Sequence, residues 1–387
     1  MVNRSGAARP PSPSPSPHRP PAATTCVIVG HGVMGRIQGA KLAELGVRTV
    51  AVVDPGQAGT VLTSGVPVVG SPDEVRAPRS VGLWSICTPT AAHAAVFRQI
   101  GRLAPEADVI VEKPVCVPGD VPEMCSMLDA HPGRVCVDEH YLSSAVPEAV
   151  AAALQSVPGA TVTRVVVEMT KHRGLDRARG RFEDRALGAL GYEGPHLLAV
   201  LDALGRQLGV SLAPASPATC TFDGAWGPDG SPPQDGAEVS YRTPTGCEVV
   251  LHTSLVGRPR ARSQPSIPYG SRRRHRVLRA EATDREGHVW EVIGAFAPTG
   301  LRDRCLGTLA VRRDRLPVAP PQVLHDDPLG RHLRRTLRYF AGAEPNPAPA
   351  RHCIGHVALL HQWVSTARAA AAGRAAVRPA ARGLRER

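Results

Sequence analysis

Gly30-His31-Gly32-Val33-Met34-Gly35 follows the apolar run at residues 26–29 directly and precedes apolar residues at helical spacing, Met34, Ile37, Leu42 and Leu45. Glycines so placed let a backbone approach a pyrophosphate closely, and the helix N-terminus adds unpaired N–H groups and a favourable dipole. Gly30, Gly32, Val33, Met34 and Gly35 are therefore candidate contacts to a dinucleotide. Asp54 ends the next apolar run, residues 50–53, where an acidic side chain hydrogen-bonds an adenosine ribose. A carboxylate there repels a 2′-phosphate and favours NAD(H), while Arg36 in the loop keeps NADP(H) open.

Two further runs end in polar residues with chemical use: Cys87-Thr88-Pro89-Thr90-Ala91-Ala92-His93 and Val111-Glu112-Lys113-Pro114. Both fall where parallel strands end, and open α/β sheets bind ligands at those ends. Thr88, Pro89, His93 and Glu112 are candidate cofactor contacts. Pro114 restricts the backbone of Lys113, by steric exclusion or through a cis peptide, and so holds its ammonium at the crevice edge. An ammonium there could donate a proton to a carbonyl as hydride arrives.

The elements that must position these residues alternate between strand and helix. Apolar runs at 26–29, 50–53, 81–86, 109–111 and 135–137, with helix-compatible segments between them, imply an α/β fold with a doubly wound parallel sheet. From residue 162 the pattern changes to strands at 162–169, 237–241, 248–255, 277–283 and 289–293, with a hairpin turn at 284–287 and a helix at 195–208. Such strands favour an open, mostly antiparallel sheet in a second α/β domain, closed by helices at 329–340 and 354–370. The expected division is a Pro/Ser-rich disordered and dispensable tail at 1–23, a Rossmann domain at 24–145, a substrate-binding and oligomerisation domain at 146–371 and a basic tail at 372–387. Residues 257–276, rich in Pro, Ser and Arg, read as a long exposed loop.

Composition bounds the alternatives. A chain of 387 residues exceeds what one core usually organises, and 4% aromatics with 38 glycines and 38 prolines describe loop-rich packing of small side chains. The formal charge of +12 is mainly arginine, at Arg272, Arg273, Arg274 and Arg276, at Arg331, Arg334, Arg335 and Arg338, and in the C-terminal tail. No nucleic-acid module surrounds these residues, so they read as solvated surface. Nine cysteines without a CxxC pair encode neither a disulfide framework nor a zinc site, and the remaining histidines show no metal-ligand spacing, so no metal is expected. The absence of a signal-peptide core or a bilayer-spanning run points to a soluble cytoplasmic protein.

The glycine loop, the C-T-P-T-x-x-H run and the E-K-P tripeptide together resemble the glucose-fructose oxidoreductase and inositol dehydrogenase family, Gfo/Idh/MocA. The resemblance is clear over residues 26–142 and continues through Gly188-Ala189-Leu190-Gly191-Tyr192-Glu193-Gly194-Pro195-His196, similar to the family's G-A-L-x-D-x-G-x-H segment. It implies that Lys113 and His196 bracket a substrate carbinol. The family's frequent aspartate falls on Tyr192, with Glu193 one place on; helical offsets of four and three let either stand beside His196, and both remain candidates. Glu139 and Tyr141 lie where members present substrate-contacting residues; Lys171, His172 and Arg173 could reach the same crevice, but three adjacent basic residues usually form a solvated strand end.

The activity so implied is hydride transfer between NAD or NADP and a secondary alcohol or ketone of a sugar or cyclitol. An Ala/Arg/Gly/Pro-rich composition points to a high-GC bacterium and to reduction of an oxo group on an aminoglycoside-type antibiotic precursor. Glu139, Glu183, Asp184 and Glu193 are the acidic candidates for such a cationic substrate. A catalytically silent nucleotide-binding sensor or scaffold is the competing class. An open sheet face needs covering, which implies a homodimer or homotetramer.

Overall fold

The computed structural model describes residues 24–179, 184–260, 264–271, 273–298 and 305–382, with side chains to residue 373. The N-terminal tail, Glu183, Arg272 and residues 383–387 lie outside the described residues, and the rest of the expected basic tail continues the last helix.

The first sheet is built from β1 (Thr25–Val29), β2 (Arg48–Val53), β3 (Val68–Val69), β4 (Leu83–Ile86), β5 (Asp108–Glu112) and β6 (Val135–Asp138), with α1 (Val33–Glu44), α2 (His93–Leu103) and α3 (Val121–Ala130) between them. All pairs are parallel and the order is β3-β2-β1-β4-β5-β6. The chain therefore winds outward from β1 in both directions. The carboxyl ends of β1 and β4 flank the crossing point, and the loops of interest leave from there. Strands buried on both faces need unbroken apolar runs, and Val27, Ile28, Leu83, Trp84, Val109 and Ile110 are all fully covered.

The second sheet has nine strands: β7 (Thr161–Thr170), β8 (Thr219–Asp223), β9 (Gly236–Arg242), β10 (Glu248–Ser254), β11 (His275–Thr283), β12 (Val289–Phe296), β13 (Leu306–Arg313), β14 (Leu316–Pro317) and β15 (Gln322–His325). Every pair is antiparallel except β7 with β10 at the centre. α4 (Ala145–Gln155) and α6 (Ala189–Leu208) cover its inner face, and α5 (Gly174–Ala178) follows β7. Alternation assigns the faces: Leu278, Ala280 and Ala282 of β11 are fully buried, whereas His275, Arg279 and Glu281 line the outer face with Arg164 and Glu168 of β7. That outer face carries ion pairs between rows, Arg279–Glu291 at 3.2 Å and Arg312–Glu291 at 3.1 Å.

α7 (Pro328–Phe340) starts with Asp327 accepting from Gly330 N–H and Pro328 in its first turn, a cap contributing about 1 kcal/mol. α8 (Ala350–Arg382) is longer than its apolar pattern indicated. These helices return to the first sheet. Pro349 bridges Cys136, the Val137 N–H donates to Ala348 O, and Asn346 Nδ2 donates to Val135 O, so residues 346–349 dress the β6 edge. Lys41 of α1 pairs with Asp327 at 3.2 Å.

Three expectations need correction. α6 starts at Ala189 rather than at residue 195; Pro195 lies inside it, at the cost of one intrahelical hydrogen bond, although proline normally marks a first turn. Residues 257–276 are not wholly an exposed loop, since Ile267 is buried and β11 begins at His275. Strands β8, β13, β14 and β15, not expected from the sequence, complete the sheet, and of these β8, β14 and β15 have five residues or fewer.

Candidate functional site

At the β1 end, Gly30 has φ +93°, and a Cβ there would come within 2.8 Å of the Cys87 and Thr88 backbone. A Cβ on Gly35 would collide with the Gly30 carbonyl, so this glycine sets the approach of α1 to β1. Gly32 differs: a Cβ there would meet nothing within 4 Å. No side chain caps α1, and its first turn has no acidic residue, leaving N–H groups facing open space. Val33 is exposed and Met34 half-buried beside them. Asp54 accepts from His31 N–H at 2.9 Å and Gly56 N–H at 3.0 Å, which fixes its carboxylate on the loop's rim. Thr88 Oγ1 is buried without a hydrogen-bond partner. An open glycine cradle, uncapped N–H groups, a fixed carboxylate and an orphaned hydroxyl fit a dinucleotide.

His93 and Glu112 lie behind this edge. His93 is fully buried, its ring nitrogens on Thr88 O at 2.9 Å and Pro114 O at 3.0 Å, so it ties the two loops together. Glu112 sits beneath with Gln38 and Asp138, and burial, then the neighbouring Asp138, push its carboxyl well above the usual range. Pro89 is exposed at the mouth.

Lys113 leaves the β5 end through a cis bond to Pro114, and its Nζ donates to Tyr192 O at 2.8 Å. Tyr192, Glu193 and His196 all belong to the first turns of α6. His196 Nδ1 lies 2.7 Å from Glu139 Oε1, and its ring centroid lies 4.8 Å from that of Tyr141 and 5.0 Å from that of His140. Burial pushes the Glu139 carboxyl up to about 8 against the opposing pull of Lys113, and its Oε2 has no partner. Burial, then the Lys113 ammonium, drives His196 well below its ordinary value. Near neutral pH both groups are uncharged, with Glu139 O–H donating to Nδ1 and the Nε2 proton left on the imidazole.

Glu193 does not stand beside His196 as a relay. Arg276 Nη2 meets both its oxygens at 3.1 Å, and Arg173 meets Oε1 at 2.6 Å. Burial raises its pKa, but Arg276 and Arg173 outweigh that and hold the carboxylate well below the usual range. Arg276 also donates to the Tyr141 hydroxyl.

Residues 24–139 match the model described as "Oxidoreductase family, NAD-binding Rossmann fold", GFO_IDH_MocA. That segment carries the NAD-binding Rossmann fold of the Gfo/Idh/MocA oxidoreductases. No curated protein matches the sequence of the chain. Among solved structures it is similar to the UDP-N-acetylglucosamine 3-dehydrogenase of Acidithiobacillus ferrooxidans (16% identity, covering 89% of this chain and 97% of that one, TM-score 0.58). It is likewise similar to the WlbA dehydrogenase of Chromobacterium violaceum, solved with NADH and UDP-GlcNAcA (13%, 92% and 97%, 0.64). A third is an oxidoreductase of Agrobacterium radiobacter, solved with NAD+, L-tartaric acid and magnesium (15%, 89% and 96%, 0.60). At these identities the likeness concerns the fold. Among the described residues no helix is long and apolar enough to cross a membrane.

Around this site, sequence reasoning assigned two cations to solvent. Arg276, assigned to solvated surface, is buried because it continues the inward stripe of Leu278, Ala280 and Ala282, a period-two signal hidden by its basic neighbours. Arg173, assigned to a solvated strand end, is paired inward, and nothing local in its sequence announces that. The expectation of no metal-ligand spacing also needs correction, since His352 and His356 stand one helical turn apart on α8 and converge on Asp202 of α6.

Proposed function

We propose that this oxidoreductase transfers a hydride between a nicotinamide and a secondary alcohol or ketone of a sugar or cyclitol bearing an anionic group. The observation that carries the reading is the anchoring of Lys113 Nζ, 2.8 Å from Tyr192 O, on the same first turns of α6 that present His196. A bound nicotinamide supplies or accepts the hydride. Lys113 donates a proton to the oxygen that gains charge during reduction, and His196, oriented by Glu139, holds that oxygen or its neighbour through Nε2. Gly30, Gly32, Val33, Met34, Gly35, Asp54, Thr88 and Pro89 hold the dinucleotide, with NAD and NADP both open; His93 and Glu112 support those loops from behind. Tyr192 positions Lys113 through its carbonyl, and Tyr141 lines the substrate side.

The charge balance supports the anionic class. Lys113, Arg276 and Arg173 all act on His196, and burial, then Arg173, with Arg274 and Arg276, lowers the Lys171 pKa against the pull of Asp176. The acids that a cationic aminoglycoside would need are already engaged: Glu193 by two arginines, Glu139 by His196, and Asp184 by the N–H groups of Ala186 and Leu187. UDP-GlcNAcA and tartrate, the ligands of two structural relatives, are anions. We further place the protein in the cytoplasm as a homodimer or homotetramer packed through the outer face of the second sheet, a state that light scattering checks.

The test follows nicotinamide absorbance with uronates, nucleotide-linked sugars, neutral keto-sugars and aminoglycosides. Turnover of the first two classes with at least tenfold preference is expected. Preference for aminoglycosides would overturn the anionic class, and turnover of none of them would favour the silent sensor.

A further inference from the structure

We propose that Asp202, His352 and His356 form a binding site for a divalent transition metal of the zinc class, one that pins α6 to α8. His352 and His356 are four residues apart on α8, so their imidazoles stack along one face, with ring centroids 4.7 Å apart. Asp202 faces them from α6. Both Nε2 atoms converge on a single carboxylate oxygen, Asp202 Oδ2, at 2.5 and 2.7 Å. One oxygen and two imidazole nitrogens make the three-ligand set of an open zinc site.

The spacing requires little adjustment. Zinc–ligand bonds of about 2.0–2.1 Å put tetrahedral donors roughly 3.3 Å apart, so each contact must widen by less than about 1 Å. The side chains have room for this, since Asp202 is 30% and His352 46% exposed. The cluster opens onto a cavity of about 490 Å³ lined by Asp202, Arg206, Leu212, Asn346, Pro349 and His352, which supplies an entry path and space for a fourth ligand. Metal binding at Nε2 displaces the bridge to Asp202 and leaves each neutral imidazole its proton on Nδ1, while the carboxylate neutralises one of the two metal charges.

Asp202 lies six residues beyond His196 on α6, about 9 Å along the axis. The metal therefore acts as a cross-link on the helix that carries the candidate catalytic residues and takes no part in hydride transfer. Its loss and the loss of the proposed oxidoreductase activity are separable.

Tag-free full-length protein, stripped with chelator, is titrated with Zn²⁺ alone by calorimetry, and with Co²⁺ to record the visible bands of a tetrahedral site. Wild type should bind one equivalent with a rise in Tm. His352→Gln and His356→Gln should each weaken binding at least about tenfold and abolish the Co²⁺ bands. His352→Gln changes a half-exposed side chain, so it keeps the test valid where the buried His356 variant folds poorly. Wild type that takes up no zinc, or a His352→Gln variant that matches wild type in stoichiometry, affinity and spectrum, overturns the site.

Discussion

The two ends of the crevice are made in different ways. The nucleotide end is mostly backbone, formed by glycines that fit because nothing larger does and by helix N–H groups that belong to no particular side chain. The proposed substrate end is mostly side chain, with buried Glu139, Glu193 and Arg276 and half-buried Arg173 brought from four separate segments. A backbone site is written within six consecutive residues and is readable there. A side-chain site depends on long-range register, and its charges are affordable only as a complete set.

The largest effect should come from the residue between the two ends. Lys113→Met should lower kcat by about 10²–10⁴-fold with dinucleotide Kd nearly unchanged, because the glycine loop and Asp54 are untouched. Single-turnover kinetics and nucleotide titration check this together, and near-wild-type turnover on the true substrate would remove Lys113 from the proposed relay.

The buried charges should matter next, for folding. Arg276→Met leaves Glu193 with Arg173 as its one close arginine partner among the described residues and should cost about 3 kcal/mol, the lower end for breaking a buried pair. Arg276→Leu combined with Glu193→Leu should cost less than the single change, since no orphaned charge remains. Urea unfolding of both variants decides it; a double variant weaker than the single would mean packing, not charge pairing, governs this end.

Much of the nucleotide end was legible because each requirement is local: strand, glycine loop, helix, acidic strand end. At the substrate end Lys113 was legible from its strand end and the proline after it, whereas Glu139 and His196 were visible only through resemblance to a family. Arg276 was hidden by Arg272, Arg273 and Arg274, whose shared composition masked the alternation that starts at His275. The start of α6 was misplaced because Pro195 is a strong first-turn signal, while Gly191 and Gly194 weaken the helical pattern before it. The His352/His356 pair passed unnoticed because its third partner is about 150 residues away.

A pH profile sharpens the comparison further. Glu139, held up to about 8, keeps its proton below that value, so His196 presents Nε2–H as a donor, the form that suits reduction. Above it Glu139 ionises, Nδ1 takes the proton, and Nε2 becomes an acceptor suited to alcohol oxidation. Reductive kcat should thus fall, and oxidative kcat rise, through pH about 8. Glu139→Gln should erase that inflection in both directions, and its persistence would assign the titration to another group.

The smallest effects separate two glycines. Gly35→Ala should destabilise the fold by about 1–3 kcal/mol, because its Cβ meets the Gly30 carbonyl. Gly32→Ala should leave Tm unchanged and weaken dinucleotide binding by about tenfold, because its Cβ enters open space. Thermal melts with and without nucleotide distinguish the two.

The dressing of β6 by residues 346–349 has a consequence for how the chain is born. The first sheet can assemble once residue 138 has left the ribosome, but the strip that covers its last strand emerges some two hundred residues later. During that interval the nascent domain carries a raw β edge, the feature that recruits foreign strands. The same strip makes the first 139 residues a poor candidate for independent life: cut from the rest, they would keep their nucleotide cradle yet present a sticky border to every neighbouring copy.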